Sequence, residues 1–335
     1  SFGEVYEAED LKQNIRVGLK IEIIKARYPQ LENESTILET IQGGINYPRY
    51  IETGVDAVFR YLAMELLGKN LDELFILCGN KFTIKTVLLI ADQLISSLEF
   101  LHKKHYIFRD IKPNNFVIGR GSKSNQIFMV DFGLCKKYID EETGQHVEFL
   151  EGQSVAGTVR FASKYALAGN TQSRRDDMIA LGYLLIYFAK GTLPWAAIEA
   201  NSSSQKIQQI CTMKSKIEPE ELCSKLPPEF RRYLVAVSSL EFAEEPKYSE
   251  YRQMFRNLLM KYEISYDYKY DWYGMPQLEP ALPTAPKNKS SSRRPPVSAR
   301  LLPPTPLEKR MMHLKEENLS VENDDVSPEP RKKSE

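Results

Sequence analysis

Apolar and polar residues alternate along much of the first part of the chain, a pattern typical of half-buried strands. The alternation occurs in three stretches, Phe2–Ala8, Arg16–Ile24 and Ala57–Leu66. Between the second and third stretches, Pro29–Gln42 carries Leu31, Leu38 and Ile41 at helical spacing. This segment is therefore predicted to form an amphipathic helix that packs on the strands.

After Asn70 the apolar residues fall mostly at helical spacing. Thr86–Lys104 has one apolar face and predicts a long amphipathic helix, whereas Met178–Ala189 is apolar nearly all round and predicts a helix buried on every side. Further helical patterns follow in three stretches, Gln205–Met213, Pro228–Ser239 and Ser249–Tyr262. We therefore expect an α+β protein, with a small β-rich lobe over 1–65 and a larger α-helical lobe over 66–272.

Two charged residues interrupt the apolar pattern of the first lobe. Glu34 lies on the apolar face of the predicted helix, where a carboxylate is costly unless a cation pairs with it. Lys20, within the strand sequence VGLKIE, is the candidate partner. A lysine in such a strand can also be an edge residue whose ammonium reaches solvent. The pairing of Lys20 with Glu34 is the prediction that explains both residues.

Charged and amide side chains cluster in two short motifs in the middle of the chain. The motifs are FRDIKPNNF at Phe108–Phe116 and VDFGL at Val130–Leu134, separated by a strand-like stretch. Transfer of a phosphoryl group from magnesium-bound ATP requires carboxylates, a cation and an amide at such a separation. Four residues supply them, Asp110, Lys112, Asn115 and Asp131.

Each of these four residues has an expected role. Asp110 would orient or accept the proton of the substrate hydroxyl, and Lys112 would stabilise charge on the transferring phosphate. Asn115 and Asp131 would hold Mg²⁺, with Asp131 also reaching the phosphates. The alternative for each is an ordinary solvated loop residue. We expect ATP and Mg²⁺ as cofactors.

The first residues, Ser1-Phe2-Gly3, resemble the end of a glycine-rich phosphate loop, in which backbone N–H groups approach phosphate oxygens. Gly3 is the one glycine of such a loop in the sequence, and an ordinary turn would look the same. Because the chain opens on serine inside this motif, we expect that preceding residues are missing from the sequence.

Composition narrows the range of partners. Lys+Arg and Asp+Glu are both 45, so the net charge is zero and gives no indication of nucleic-acid or membrane-surface binding. The four cysteines show no CxxC pair and are expected to be free thiols. The longest apolar run, Met178–Ala189, is too short for a membrane span of about 20 residues. With no signal peptide at the start, we expect a cytoplasmic protein, and nuclear access is left open. We also expect a monomer.

The last part of the chain, 273–335, differs in composition. It holds 11 of the 19 prolines, with many Ser, Lys and Glu residues and few aromatics. Such a segment cannot bury enough apolar surface to fold, so we expect a disordered tail. Ser320 follows Glu317 by three residues, and Ser327 follows Asp324 by three. Both serines are candidate phosphorylation sites, with an inert spacer as the alternative.

Several segments resemble eukaryotic protein kinases and, among them, the casein kinase 1 family. The resemblance covers Ser1 to about Trp272, and tau-tubulin and vaccinia-related kinases are more distant from these motifs. Ala-Pro-Glu is absent after the activation segment, where GTVRFAS takes its place. The segments that carry the family resemblance are Met64–Phe75, Lys81–His102, Gly157–Ser163 and Ser173–Trp195.

This resemblance implies a bilobal protein kinase fold and assigns further roles. Met64 would be the gatekeeper beside the adenine, and Asp177 would hold the backbone of the catalytic loop. The adenine hinge would be formed by Glu65, Leu66 and Leu67, and the apolar walls of the nucleotide pocket by Val5, Gly18, Val117 and Val130. The family prefers acidic or phosphorylated residues upstream of the target Ser or Thr. The residues expected to bind those anions are Arg109, Lys136, Arg160 and Lys206.

Three departures from the family pattern bear on function. Phe108 replaces the usual histidine before Arg-Asp, at a position expected to be packed in apolar surroundings. Gln153 replaces a lysine of the second anion site, and Ser202-Ser203-Ser204 replaces a basic cluster before Lys206.

Despite these departures, the motifs as a whole lead us to expect a Ser/Thr protein kinase of casein kinase 1 type. The alternatives are a catalytically impaired kinase-fold scaffold and a kinase for small molecules.

Overall fold

In the computed structural model of the protein, residues 4–26 and 28–275 are described. The β-rich lobe of this part holds a four-stranded antiparallel sheet in the order β1-β2-β4-β3. Helix α1 packs against it. The bounds are β1 Glu4–Asp10, β2 Ile15–Ile23, α1 Leu31–Thr40, β3 Tyr50–Val55 and β4 Phe59–Glu65.

The second lobe is mainly helical, with two short antiparallel strand pairs, β6 with β7 and β5 with β8. Its helices are α2 Leu71–Leu77, α3 Ile84–Lys103, α4 Lys164–Leu167, α5 Arg174–Lys190, α6 Ser203–Lys216, α7 Pro219–Leu222, α8 Pro228–Ser238 and α9 Tyr248–Lys261. Its strands are β5 Tyr106–Ile107, β6 Phe116–Ile118, β7 Ile127–Met129 and β8 Lys136–Lys137.

Local chemistry sets several of these helix ends. Asn70 and Glu73 hydrogen-bond each other's backbone N–H groups in a capping box at the start of α2. The Thr83 hydroxyl accepts from the Thr86 N–H at the start of α3. Gly191 ends α5 with a φ of 90°, which glycine adopts without strain. The starts of α2 and α3 and the end of α5 are therefore specified by local sequence.

Helix α5 lies at the centre of the helical lobe. All but three of its side chains are buried, and it packs against α3 and α8. The prediction of a helix buried on every side is confirmed, although the helix starts four residues earlier than the apolar run because Asp176 accepts the Ser173 N–H and caps the first turn. The expected α+β kinase fold, with a β-rich sheet and a helical second lobe, is confirmed.

Strand β3 was not predicted. Its sequence, Tyr50–Val55, shows no buried residue and no clear alternation, and it lies at the edge of the sheet beside β4. Its pairing is interrupted by a bulge between Tyr50 and Glu52. Edge strands of this kind are held by backbone hydrogen bonds rather than by a buried face, so side-chain pattern does not reveal them. The predicted disordered tail lies outside the described residues from residue 276 onward.

Candidate active site

Three charged side chains meet where the sheet, α1 and the residue after Val130 come together. The Lys20 Nζ atom lies 2.6 Å from Glu34 Oε2 and 2.8 Å from Asp131 Oδ1. Lys20 and Glu34 are buried, at 5% and 2% exposure, whereas the Asp131 side chain retains 21%. The predicted cationic partner of Glu34 is thereby confirmed as Lys20.

Each of the three residues is positioned by its own element. Antiparallel register places Lys20 opposite Val5 in β1 and Leu62 in β4, with its side chain on the buried face of β2. Glu34 lies in the first turn of α1. Asp131 has a φ of 68°, in the left-handed region that non-glycine residues rarely adopt. Strain of this kind is typical of functional sites, because the surrounding structure must enforce it.

Burial and mutual attraction act in opposite directions on the charges of this group. Burial raises the pKa of the Glu34 carboxyl to about 7, although the adjacent Lys20 ammonium favours ionisation. For Lys20, burial lowers the pKa, but Glu34 and Asp131 together outweigh burial and raise it. Lys20 is therefore charged at neutral pH, and its ammonium lies between the carboxylates of Glu34 and Asp131.

The second group of polar residues is on the loop that contains Asp110, a residue with 5% exposure. Lys112 Nζ donates to Asp110 Oδ2 at 2.5 Å, and Thr158 Oγ1 donates to Asp110 Oδ1 at 2.7 Å. Asn115 Nδ2 donates to both the carbonyl oxygen and Oδ2 of Asp110. The carboxylate is thus fixed from three sides, as the group that orients a substrate hydroxyl has to be.

The backbone of this loop is held by a buried carboxylate of α5. Asp177 accepts hydrogen bonds from the N–H groups of Phe108, at 2.7 Å, and Arg109, at 2.8 Å. The His102 Nε2 atom lies 3.0 Å from the same carboxylate, and His102 Nδ1 lies 2.7 Å from the Tyr248 hydroxyl. The catalytic loop is therefore connected through Asp177 to α3, α5 and α9.

The two residues expected to hold Mg²⁺ flank a pair of strands, because Asn115 directly precedes β6 and Asp131 follows the end of β7 by two residues. The Val130 N–H donates to the Asn115 carbonyl oxygen at 3.0 Å, so Asn115 and Asp131 emerge side by side. Asn115 donates its amide N–H to Asp110, which leaves the side-chain oxygen for a cation. One amide oxygen and one carboxylate suit Mg²⁺, which keeps water and phosphate ligands. Bound there, Mg²⁺ would neutralise phosphate charge, and the remaining chemistry falls to the side chains.

The residues expected around the adenine lie on β1, β2, β4 and β6 and in the segments that follow β4 and β7. Met64 is buried at the end of β4 opposite Gly18, and Glu65 accepts from Lys123 Nζ and from the Arg49 N–H. Leu66 and Leu67 follow β4 and are partly buried, Val117 lies in β6, and Val130 follows β7; both valines are partly buried. Val5 is 58% exposed on β1. Gly3 lies outside the described residues.

The four residues predicted to bind substrate anions separate into two groups. Arg160 and Lys206 line one cavity of about 510 Å³ together with Lys112 and Asp72. Arg109 instead donates through Nε to the Leu134 carbonyl oxygen at 2.7 Å, which connects the catalytic loop to the segment after Asp131. Lys136 is exposed on β8 and does not line this cavity. The structure thus places Arg160 and Lys206 in a cavity beside the catalytic loop.

Two residues of this region were not predicted from the sequence. Thr158 bonds directly to Asp110, and the one signal for it was its position in the GTVRFAS segment. Lys214 of α6 is 4% exposed and donates to the carbonyl oxygens of Val159, Arg160 and Ala162. Lys214 thereby fixes the segment that carries Arg160. No local pattern marked it, because its partners are backbone atoms about fifty residues away.

Phe108 is completely buried at the start of the catalytic loop. Its ring centroid lies 5.9 Å from that of Phe132 and 6.2 Å from that of Phe116. The predicted apolar surroundings of this position are confirmed. An aromatic side chain therefore replaces the usual histidine there without leaving a buried polar atom unpaired.

Along the part of the chain that the structure describes, no helix is sufficiently long and apolar to cross a membrane.

Comparison with known protein families agrees with the residues found in the candidate active site. The family model described as protein kinase domain matches residues 1–262. Proteins of this family generally transfer phosphate from ATP with Mg²⁺. On that match, together with the fold and the arrangement of Lys20, Glu34, Asp110 and Asp131, the chain belongs to the protein kinase family.

Proposed function

We propose that the protein is a Ser/Thr protein kinase of casein kinase 1 type, acting on acidic or phosphorylated substrates. The observation that carries the proposal is the cavity of about 510 Å³ beside the catalytic loop, lined by Arg160, Lys206 and Lys112. Arginine and lysine at the entrance to a site favour phosphate and carboxylate groups through charge-assisted hydrogen bonds. A substrate with such a group upstream of its hydroxyl would lie across this cavity.

The proposed transfer uses the residues already described. A substrate hydroxyl gives its proton toward Asp110 as its oxygen attacks the γ-phosphorus of ATP, and the bond from that phosphorus to the bridging oxygen of ADP breaks. Lys112 stabilises the charge on the phosphoryl group during this step. Thr158 and Lys112 both bond the Asp110 carboxylate closely, at 2.7 and 2.5 Å. The proposed preference for Ser or Thr over Tyr rests on the resemblance of GTVRFAS and the other motifs to the casein kinase 1 family.

Peptide turnover tests both parts of the proposal. We expect the protein to phosphorylate a serine peptide with phosphoserine three residues upstream faster than the same peptide with alanine there, and faster than a tyrosine peptide or choline. Asp110→Asn should lower kcat at least a hundredfold, since removal of a catalytic base costs about that factor. A peptide preference for tyrosine, or turnover of choline alone, would contradict the proposal.

The anion part has its own variants. Arg160→Ala combined with Lys206→Ala should raise KM for the phosphorylated peptide about tenfold and leave the unphosphorylated peptide unchanged. Lys216→Ala is the matched control, because Lys216 is an exposed lysine on the same helix, α6, outside the cavity. Equal KM changes in the control would show that overall charge, not the cavity, determines the preference.

A kinase-fold scaffold is the second candidate, favoured by Phe108 alone. If the protein binds ATP but transfers no phosphate to any peptide, the scaffold is the better description. Phe108→His then becomes the decisive variant, since recovery of transfer would show that the aromatic residue impairs catalysis. Because Phe108 packs against Phe116 and Phe132, we expect Phe108→His to give no gain over an active wild type.

A further inference from the structure

Glu22 is a buried carboxylate next to the candidate active site, with 8% exposure. It follows Lys20 by two residues in β2, so both side chains lie on the buried face of the strand. Its Oε1 atom accepts hydrogen bonds from the N–H groups of Gln30, at 2.7 Å, and Leu31, at 3.3 Å. These are the first N–H groups at the start of α1.

Helix α1 begins without a side-chain cap from its own N-cap residue, Gln30. The first N–H groups of a helix need acceptors, and a negative charge there is also favourable because the helix dipole is positive at that end. A carboxylate from the neighbouring strand meets both needs. Glu22 therefore caps α1 from outside the helix.

We propose that Glu22 is a positioning residue that holds α1 in the arrangement in which Lys20, Glu34 and Asp131 meet. Lys20 holds the helix through Glu34, and Glu22 holds it through its first N–H groups, one turn earlier. Two contacts from the same face of β2 therefore hold the first turn of the helix, at its start and at Glu34, in addition to the packing of α1 on β3 and β4.

The first turn of α1 also contacts the segment that follows Asp131. Asn33 Nδ2 donates to the carbonyl oxygens of Gly133 and Cys135, at 3.3 Å each. A Cβ atom on Gly133 would lie 2.8 Å from the Gln30 side-chain oxygen, so the two segments are in close contact. Holding the helix start in place thus also supports the backbone that presents Asp131. Glu22 acts through α1 and is not itself placed at the reacting atoms.

Three variants test this role. Glu22→Ala removes the cap, Glu22→Gln keeps an acceptor oxygen, and Glu32→Ala is the matched control. Glu32 lies in the same first turn of α1, but its side chain is 76% exposed and its ion pair with Arg60 spans 3.5 Å. Two measurements are made on the full chain of each variant. The first is backbone amide hydrogen exchange in α1 and α3, and the second is steady-state kinetics with ATP and peptide.

For Glu22→Ala we expect exchange in α1 to rise about tenfold while exchange in α3 stays unchanged, since loss of a helix cap changes an equilibrium by roughly that factor. The value of kcat should fall about tenfold while KM for ATP changes less than threefold, because none of the residues expected around the adenine lies on α1. Glu22→Gln should restore most of both values. Glu32→Ala should match the wild type.

The role of Glu22 is overturned if α1 exchange in Glu22→Ala equals that of the wild type, if α3 exchange rises equally, or if Glu32→Ala has the same effect. The kinetic readout rests on the proposed function, whereas hydrogen exchange does not. A wild type without transfer activity, combined with a selective rise of exchange in α1, would contradict the proposed function and support the positioning role.

Discussion

Gly157 lies where the activation segment passes the catalytic loop, and its small size controls how closely the two approach. Its φ is 94°, and a Cβ atom there would lie 2.2 Å from the Arg109 carbonyl oxygen. Contacts that short do not occur, so any side chain would move one of the two backbones. The next residue, Thr158, bonds to Asp110. The glycine is therefore a requirement of the active-site geometry.

We expect Gly157→Ala to lower the free energy of unfolding by about 1–3 kcal/mol, because a positive φ and a backbone contact both penalise the added methyl group. The value of kcat should fall at least tenfold as Thr158 moves from Asp110. Gly79→Ala is the control, since Gly79 also has a positive φ, 76°, but its Cβ would meet no atom within 4 Å. Urea unfolding and peptide kinetics measure both, and equal activity of the two variants would refute the argument.

At the scale of elements, α3 and α9 are joined by a charged network on Asp92, which is 4% exposed. Arg252 Nε and Arg256 Nε donate to Asp92 Oδ1 at 3.0 and 2.8 Å, and the Tyr266 hydroxyl donates to Oδ2. Burial favours the protonated acid, but the hydrogen bonds from Arg256, Tyr266 and Arg252 outweigh it and lower the pKa of Asp92. The ionised carboxylate therefore stabilises the contact between the two helices.

Asp92→Asn should lower the free energy of unfolding at pH 7 by about 1–3 kcal/mol, because it weakens several charge-assisted hydrogen bonds. The matched control on α3 is Glu99→Gln, whose exposed ion pair with Lys103 is worth roughly 0.5 kcal/mol or less. Urea unfolding at pH 7 distinguishes the two variants, and a control that costs as much as Asp92→Asn would contradict this ranking.

The pH dependence of this difference follows from the direction of the shift. An aspartate with a lowered pKa stabilises the folded protein above the pKa of the unfolded chain, about 3.9, and loses that contribution as pH falls through the lower folded value. The gap between wild type and Asp92→Asn should therefore be constant from pH 7 to about 5 and shrink below pH 4. A gap that widens on acidification would contradict the assignment.

At the scale of the whole molecule, Asp177 joins the catalytic loop to the core of the helical lobe. It is 2% exposed and is bonded by the Phe108 and Arg109 N–H groups and by His102. His102 is in turn hydrogen-bonded to the hydroxyl of Tyr248 on α9. The site thus depends on residues spread over most of the described chain.

Asp177→Asn should lower the free energy of unfolding by about 2–4 kcal/mol, since an amide nitrogen would face a buried N–H donor and the charge would be lost. Peptide transfer should fall with it, even at temperatures where the variant remains folded. Tyr248→Phe removes one hydroxyl at the far side of His102 and should cost about 1 kcal/mol with little loss of transfer. Thermal unfolding and kinetics at 15 °C compare them, and a silent Asp177→Asn would refute the connection.

Sequence patterns predicted site residues where the chemistry is local and missed residues whose partners are distant. The FRDIKPNNF and VDFGL motifs predicted Asp110, Asn115 and Asp131 from residue type and spacing, and the structure brings these three residues close together. Thr158 and Lys214 were not predicted because each hydrogen-bonds to atoms about fifty residues away in the sequence. Strand β3 was not predicted because this edge strand has no buried face that would create an alternating pattern.

By itself, the sequence determined the α+β class, the buried character of α5 and the need for a cation beside Glu34. These features follow from the spacing of apolar and polar residues that are close together in the sequence. Only the tertiary structure decided that Arg160 and Lys206 share a cavity while Arg109 and Lys136 do not, and that Glu22 caps α1. These depend on the distance between elements remote in sequence. Such distances are set by the packing of the whole core, and no local pattern encodes them.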